Sequence, residues 1–259
     1  MPSDRDLTAE HVRRNRARWE ANSAAYQQKN APLLDLPFLG WGLWHRPEAE
    51  LQVLGDVRDK VVLELGCGGA QWSIGLAAEG ARPVGLDASF NQLRFAQPLM
   101  AHHGVSVPLV QADAERLPFL DASFDVVFCD FGALFFADPY RAVPEAARVL
   151  RPGGILAFPT TTPFAEACWS DASRQFEEAL QRDYFGLHAI YDPGEDVTIF
   201  VLPYGAWIRL FREHGLVVED LIEQPPPPDA SSTYRSADET EWARHWPMEQ
   251  LWKVRKAAR

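Results

Sequence analysis

No stretch of the 259-residue sequence approaches the roughly 20 consecutive apolar residues that a membrane-spanning helix needs. The opening segment, MPSDRDLTAEHVRRNRARWE, lacks the apolar run of a secretory signal, and Asp4, Asp6 and Glu10 argue against an organelle transit peptide. Cysteine is scarce. Cys67, Cys129 and Cys168 are odd in number, far apart and without a C-x-x-C pair, which argues against a disulfide framework and against structural zinc. The one close histidine pair, His102 and His103, diverges on a helix, so no metal site is expected. Positive charge is in deficit: 25 Lys and Arg face 36 Asp and Glu, a net charge of -11. Binders of a phosphate backbone show the opposite balance, so nucleic acid is not an expected partner. The basic cluster Arg13, Arg14, Arg16 and Arg18 reads as the solvated face of an N-terminal helix. These absences leave a soluble, cytoplasmic protein with no membrane association and no internal repeat.

What is present is an alternation of short apolar runs and helical stretches. Residues 5–29 read as a helix. VVLEL (61–65), ARPVGLD (81–87), VSVPLVQAD (105–113), SFDVVFCD (123–130) and GILAFPT (154–160) read as five buried strands. Helices are expected between them at 71–80, 90–104 and 139–150, the last bent or shortened by Pro144. Such alternation implies βαβ units, right-handed crossovers and a doubly wound, mainly parallel sheet. Beyond it, residues 165–184 are expected to be helical, 186–202 a hairpin around DPGED, 204–215 a helix and 216–223 a strand. Pro225 to Pro228 form a stiff connector, 229–241 a polar loop, and 248–256 a last strand.

The chemistry concentrates in LELGCGGAQ (63–71). A strand ends at Leu65, and Gly66 and Gly68 let a ligand approach the backbone where no Cβ intervenes. Ligands of open α/β sheets sit beyond the carboxyl ends of the strands. Asp87 ends the second strand 21 residues after Gly66, close to the position, about 20 residues on, where a carboxylate accepts from ribose hydroxyls. Asp113 ends the third strand, placed to accept from an adenine amine, with the amide of Ala114 donating to a ring nitrogen. The fourth strand ends at Cys129 and Asp130. A dinucleotide would require Gly or Ala at position 71, where the residue is Gln71. It would also bring a pyrophosphate towards Glu64. Carboxylates suit a phosphate-free adenosine bearing an ammonium and a sulfonium, which is S-adenosylmethionine.

Taken in order, VVLELGCGGAQ, GLDAS, ADAERLPFLDASFDVVFC and RVLRPGGIL resemble the class I S-adenosylmethionine-dependent methyltransferases, in the manner of the ubiquinone-biosynthesis-type branch and its small-molecule relatives. The likeness covers about residues 60–160. It implies a Rossmann-like α/β fold: a doubly wound seven-stranded sheet, mostly parallel with an antiparallel last strand, N-terminal helices, and an insertion after strand five. One domain, 1–259, then divides into a helical cap (1–56), a cofactor-binding core (57–160), a substrate-side insertion (161–203) and a C-terminal helix with strands (204–259). The resemblance also implies that Glu64, Gly66 and Gly68 shape the methionine pocket, with Cys67 in the same turn. Asp87, followed by Ala88, holds the ribose, and Asp113 and Ala114 read the adenine. Cys129 holds the ammonium through its carbonyl, Gln71 makes a polar contact, and Tyr26, in W-x-x-N-x-x-x-Y, closes over the cofactor.

Where many relatives carry a His pair or similar polar residues, this chain has FGALFFADP, with Phe135 and Phe136, which points to an apolar acceptor site. No catalytic base is identified; the candidates are Asp130, His188, Tyr191 and Tyr204. The expected activity is methyl transfer to a small-molecule acceptor. A non-methylating enzyme on the same scaffold and a non-catalytic S-adenosylmethionine-binding module stay open as alternatives, and a homodimer stays open as an assembly.

Overall fold

A computed structural model of the chain describes residues 4–31, 34, 39–230 and 232–258, with side chains from Glu10 onward. The seven strands of the main sheet are β1 (Val61–Leu65), β2 (Arg82–Asp87), β3 (Leu109–Gln111), β4 (Phe124–Phe128), β5 (Leu150–Thr161), β6 (Leu216–Glu223) and β7 (Glu249–Lys256). Their spatial order is β6-β7-β5-β4-β1-β2-β3. Strands β1 to β5 run parallel, and β7 pairs antiparallel with both β5 and β6. The fold is therefore the expected Rossmann-like one. The chain turns away on both sides of β1, and this reversal opens a crevice at the carboxyl ends of β1 and β4.

Side chains one apart on a strand face opposite ways, so a strand covered on both sides must be apolar throughout. Val62, Val126, Ala157 and Leu251 join one buried cluster with Trp41, Trp72 and Leu76. Their neighbours Leu63, Val127, Phe158 and Trp252 join the other, with Val143, Trp207 and Phe211.

The helices are α1 (Asp4–Asn30), α2 (Glu48–Leu51), α3 (Gln71–Ala78), α4 (Phe90–Leu93), α5 (Ala96–His103), α6 (Ala133–Phe136), α7 (Pro139–Val149), α8 (Pro163–Cys168), α9 (Tyr204–Glu213) and α10 (Ala237–Ala243). Helix α7 continues through Pro144 to Val149 rather than shortening there. The stretch 90–104 forms two helices, not one, and β3 is shorter than 105–113.

Two expectations fail outright. The helix over 165–184 stops at Cys168, where Trp169–Ser170 pairs antiparallel with Gln175–Phe176. Trp169 and Phe176 meet edge to face at 5.0 Å across that ladder, and Arg174 turns it with a φ of +58°. The polar loop over 229–241 contains α10, started by a capping box. Ser236 Oγ accepts from Glu239 N, and the Glu239 carboxylate accepts from Ser236 N.

Helix α1 lies across the sheet edge against α4 and the hairpin strand Val197–Phe200. Asn15 fixes it there by exchanging two hydrogen bonds of 2.7 Å with the Thr198 backbone. The arginine cluster is not simply solvated: Arg14 pairs with Glu10 and Asp196, and Arg18 with Glu195. Among the described residues, no helix is long and apolar enough to cross a membrane.

Candidate functional site

A cavity of about 370 Å³ occupies the crevice at the strand tips, within the roughly 300–1,000 Å³ usual for small-molecule sites. Its floor is the turn after β1. Gly66 and Gly68 have φ values of +71° and +54°, the left-handed region that glycine enters without steric cost. A Cβ on Gly66 would lie 2.3 Å from the amide nitrogen of Ala133, and one on Gly132 would lie 2.6 Å from the carbonyl oxygen of Gly66. The turn thus packs backbone to backbone against the start of α6, leaving its other side to the cavity.

Three carboxylates crown this floor. Glu64, on β1, is buried and accepts from Ser73 N at 3.0 Å and Ser73 Oγ at 2.5 Å, so it caps α3 from outside the helix. Burial raises its carboxyl to about 8 despite those bonds, with Asp130 and Asp87 adding to the rise. Asp87, at the end of β2, accepts from Gly68 N and Ser89 N, both at 2.8 Å. Burial raises it to about 6. Asp130, after β4, accepts from Gly42 N at 2.9 Å and from the Trp72 indole at 3.3 Å, and burial raises it to about 6 as well. Glu64 Oε2 is filled by its two bonds from Ser73, so Glu64 offers a ligand only Oε1, whereas each oxygen of Asp87 and Asp130 keeps a further lone pair. A cation entering here would meet negative charge at low dielectric, and a phosphate would meet repulsion.

Asp113 and Ala114 line the end of the cavity below β3. Asp113 accepts from Glu115 N at 2.9 Å, and burial raises its carboxyl above the usual range. Glu115 ties this end to α1 through His11 Nε2 at 2.5 Å and to α7 through Arg141 Nε at 3.0 Å. Cys67 and Ala88 also line the cavity. Gln71 does too, and its amide donates to Gln27 Oε1 at 2.9 Å, while Gln27 donates to Gln92 at 2.9 Å. This chain of amides joins the glycine turn to α1 and α4. Tyr26 closes the opposite wall, its hydroxyl 3.1 Å from that of Tyr234, and burial pushes it up to about 12.

Of the expected site residues, Tyr26, Glu64, Gly66, Cys67, Gly68, Gln71, Asp87, Ala88, Asp113, Ala114 and Asp130 come together around this one cavity. Four are not among its lining residues. Cys129 is fully buried, its thiol packed 3.4 Å from Leu134 N. His188 pairs with Asp138 at 3.0 Å, Tyr191 bonds Asp196 at 3.0 Å on an exposed hairpin, and Tyr204 bonds Glu223 at 2.9 Å on the outer edge of the sheet. The candidate bases His188, Tyr191 and Tyr204 are thus removed from the cavity by their own elements.

Sequence reasoning missed Gln27, Gln92, Gly132, His45, Tyr234 and Arg235, all of which line the cavity. His45 is in the left-handed region at φ +50°, and burial holds its imidazole below the usual range. Trp19, Phe131, Phe135 and Phe136 supply apolar walls: Trp19 meets Tyr26 at 5.1 Å and Phe136 at 5.2 Å, edge to face.

The family described as Methyltransferase domain matches residues 63–158. A demethylmenaquinone methyltransferase of Lactiplantibacillus plantarum is 38% identical over 163 residues, covering 60% of this chain and 69% of that protein. One of Thermus thermophilus is 36% identical over 121 residues, covering 45% of this chain and 54% of that protein. Across most of the curated relatives it matches, the chain spans about half their length. Among solved structures, an S-adenosylmethionine-dependent methyltransferase of Mesorhizobium loti superposes with a TM-score of 0.65 at 24% identity, over 80% of this chain and 96% of that one. The [4+2]-cyclase SpnF superposes with a TM-score of 0.68 at 18% identity, over 96% and 97%. At these identities the likeness is one of fold.

Proposed function

The chain belongs to the class I S-adenosylmethionine-dependent methyltransferases, with S-adenosylmethionine as cofactor, and from that premise we propose that it methylates a small apolar acceptor held beside Phe131, Phe135 and Tyr234. The observation that carries this reading is the set of three carboxylates, Glu64 buried and Asp87 and Asp130 half-buried, crowning adjacent strands above a glycine floor. The residues present suit the cofactor: carboxylates meet its cations, and the bare turn leaves room beside its backbone.

In this reading Asp87 accepts from both ribose hydroxyls, and Asp113 and the Ala114 amide read the adenine. Glu64 and Asp130 face the ammonium, and Gln71 fixes α1 over the turn. When bound, the cofactor supplies a methyl group already activated on a sulfonium. The chain's task is then to hold the acceptor in line with that carbon, which can supply much of the acceleration. Trp19 and Tyr26 exclude water from above and present aromatic faces to the positive charge. His45, which lines the cavity and whose imidazole burial holds below the usual range, is the proposed base for the acceptor's proton.

Incubation with methyl-labelled S-adenosylmethionine and a panel of phenols and quinols is expected to yield labelled product with one equivalent of S-adenosylhomocysteine. Binding of the cofactor without any labelled product would support the non-methylating alternatives instead. His45→Asn is expected to reduce turnover by roughly 10²–10⁴-fold, the usual worth of a general base, without changing cofactor affinity. Unchanged turnover would remove His45 from that role.

A further inference from the structure

We infer that the acceptor carries a carboxylate, and that Arg235 receives it through the unpartnered Nε–Nη2 edge of its guanidinium. The inference rests on the methyltransferase reading and names the substrate class of the same cavity.

Strand order separates the two ends of the site. Asp87 and Asp113 lie at the tips of β2 and β3, on one side of the glycine turn. Beyond β4 on the other side come β5 and β7, and Glu249 opens β7 opposite Thr161. Glu249 accepts from Leu43 N at 2.7 Å, and Arg235 acts on it electrostatically, so Arg235 and Leu43 belong to the end of the cavity away from the nucleoside carboxylates.

Arg235 is held there incompletely. Its Nη1 lies 3.4 Å from Glu239 Oε1, a long contact, and its guanidinium carbon lies 5.8 Å from the Phe176 ring centroid. That contact engages only Nη1, through Glu239 Oε1, while Glu239 Oε2 accepts from Ser236 N at 2.8 Å in the cap of α10. The nearby Glu166 is committed to Arg182 at 3.0 Å. The Nε atom of Arg235 is buried without a hydrogen-bond partner, and no described residue accepts from Nη2. A buried donor on a charged group left unmade is costly, and protein interiors rarely retain one. The Nε–Nη2 edge is also the flat fork that binds a carboxylate through two parallel hydrogen bonds. Glu249 accepts from Leu43 N at 2.7 Å and makes no hydrogen bond to Arg235 among the described residues. Phe131 and Phe135, 5.8 Å apart and edge to face, give the body of the acceptor an aromatic wall. The class that fits is a flat, apolar molecule ending in a carboxylate.

The test loads the full chain with S-adenosylhomocysteine and titrates it calorimetrically with indole-3-acetate, 4-hydroxycinnamate and naphthalene-2-carboxylate, each against its primary amide. At least one acid is expected to bind tenfold or more tightly than its amide. Arg235→Gln is expected to abolish that preference and Arg235→Lys to keep part of it, with S-adenosylhomocysteine affinity within twofold of the parent in both. Equal binding of acids and amides, no binding of any acid, or a preference that survives in Arg235→Gln would overturn the inference. Should Arg235→Gln fail to fold, the acid-to-amide ratio of the parent protein and the Lys variant still decide it. Failure of S-adenosylhomocysteine to bind the parent protein would instead strike the reading on which the inference stands.

Discussion

Asp87 serves two masters at the residue scale. Its carboxylate already holds the amides of Gly68 and Ser89, so it shapes the turn before any ligand arrives. In the proposed complex it also accepts two hydroxyl hydrogens. Hydrogen bonds to a charged group are worth about 1.5–3 kcal/mol each. Asp87→Ala is therefore expected to weaken S-adenosylmethionine binding at least about tenfold, or about 1.4 kcal/mol. Asp87→Asn, which keeps one acceptor, should lie between the two. Calorimetry on both variants checks this, and unchanged affinity in Asp87→Ala would remove the ribose assignment. Glycine is required at position 66 for a different reason. Any Cβ there would strike the Ala133 amide and force the turn away from α6.

Legibility differed from element to element, and the cause is where each element gets its stability. The strands β1 and β4 are buried along nearly their whole length, so their apolar runs are visible in VVLEL and FDVVF without knowledge of neighbours. The carboxylates at their tips were legible for the same reason, since a strand's end fixes its next residue. Segment 165–184 was not legible, because the ladder replacing the helix depends on Trp169 meeting Phe176 and on Arg174 adopting a left-handed turn. Helix α10 did carry a local signal, Ser236-x-x-Glu239, hidden among polar residues that resemble a loop. Arg235 and Tyr234 precede that cap, so missing the helix meant missing the wall they form. His45, Gln27 and Gln92 reach the cavity only through packing of distant segments, which no spacing reveals. Loss of an N-cap side chain costs about 1 kcal/mol. Ser236→Ala is accordingly expected to lower the melting temperature by roughly 2–4 °C, read by calorimetric scan. No shift would mean that the cap contributes nothing to holding α10.

Across the whole molecule, burial raises the pKa values of acidic groups in and beside the site. Glu64 and Glu249 are raised from 4.5 to about 8, and Asp87 and Asp130 from 3.8 to about 6. A carboxyl whose folded value is raised stabilises the fold fully below its unfolded value, and that contribution is lost as pH climbs through the folded value. The ligand-free protein is therefore expected to lose melting temperature between pH 5 and pH 8.5 on account of these four groups. A bound cation favours the ionised forms of Glu64 and Asp130, so the rise in melting temperature produced by saturating S-adenosylmethionine should be larger at pH 8 than at pH 6. A rise that shrinks with pH would contradict the assignment of Glu64 and Asp130 to the cofactor's positive end.

The central claim is that this crevice selects a cationic nucleoside without phosphates. Parallel calorimetric titrations of the same preparation with S-adenosylmethionine and with NAD, at pH 7.5, test it most directly. The account predicts a one-to-one isotherm for S-adenosylmethionine and no heat from NAD at equal concentration. Saturable binding of NAD, with S-adenosylmethionine giving none, would contradict it.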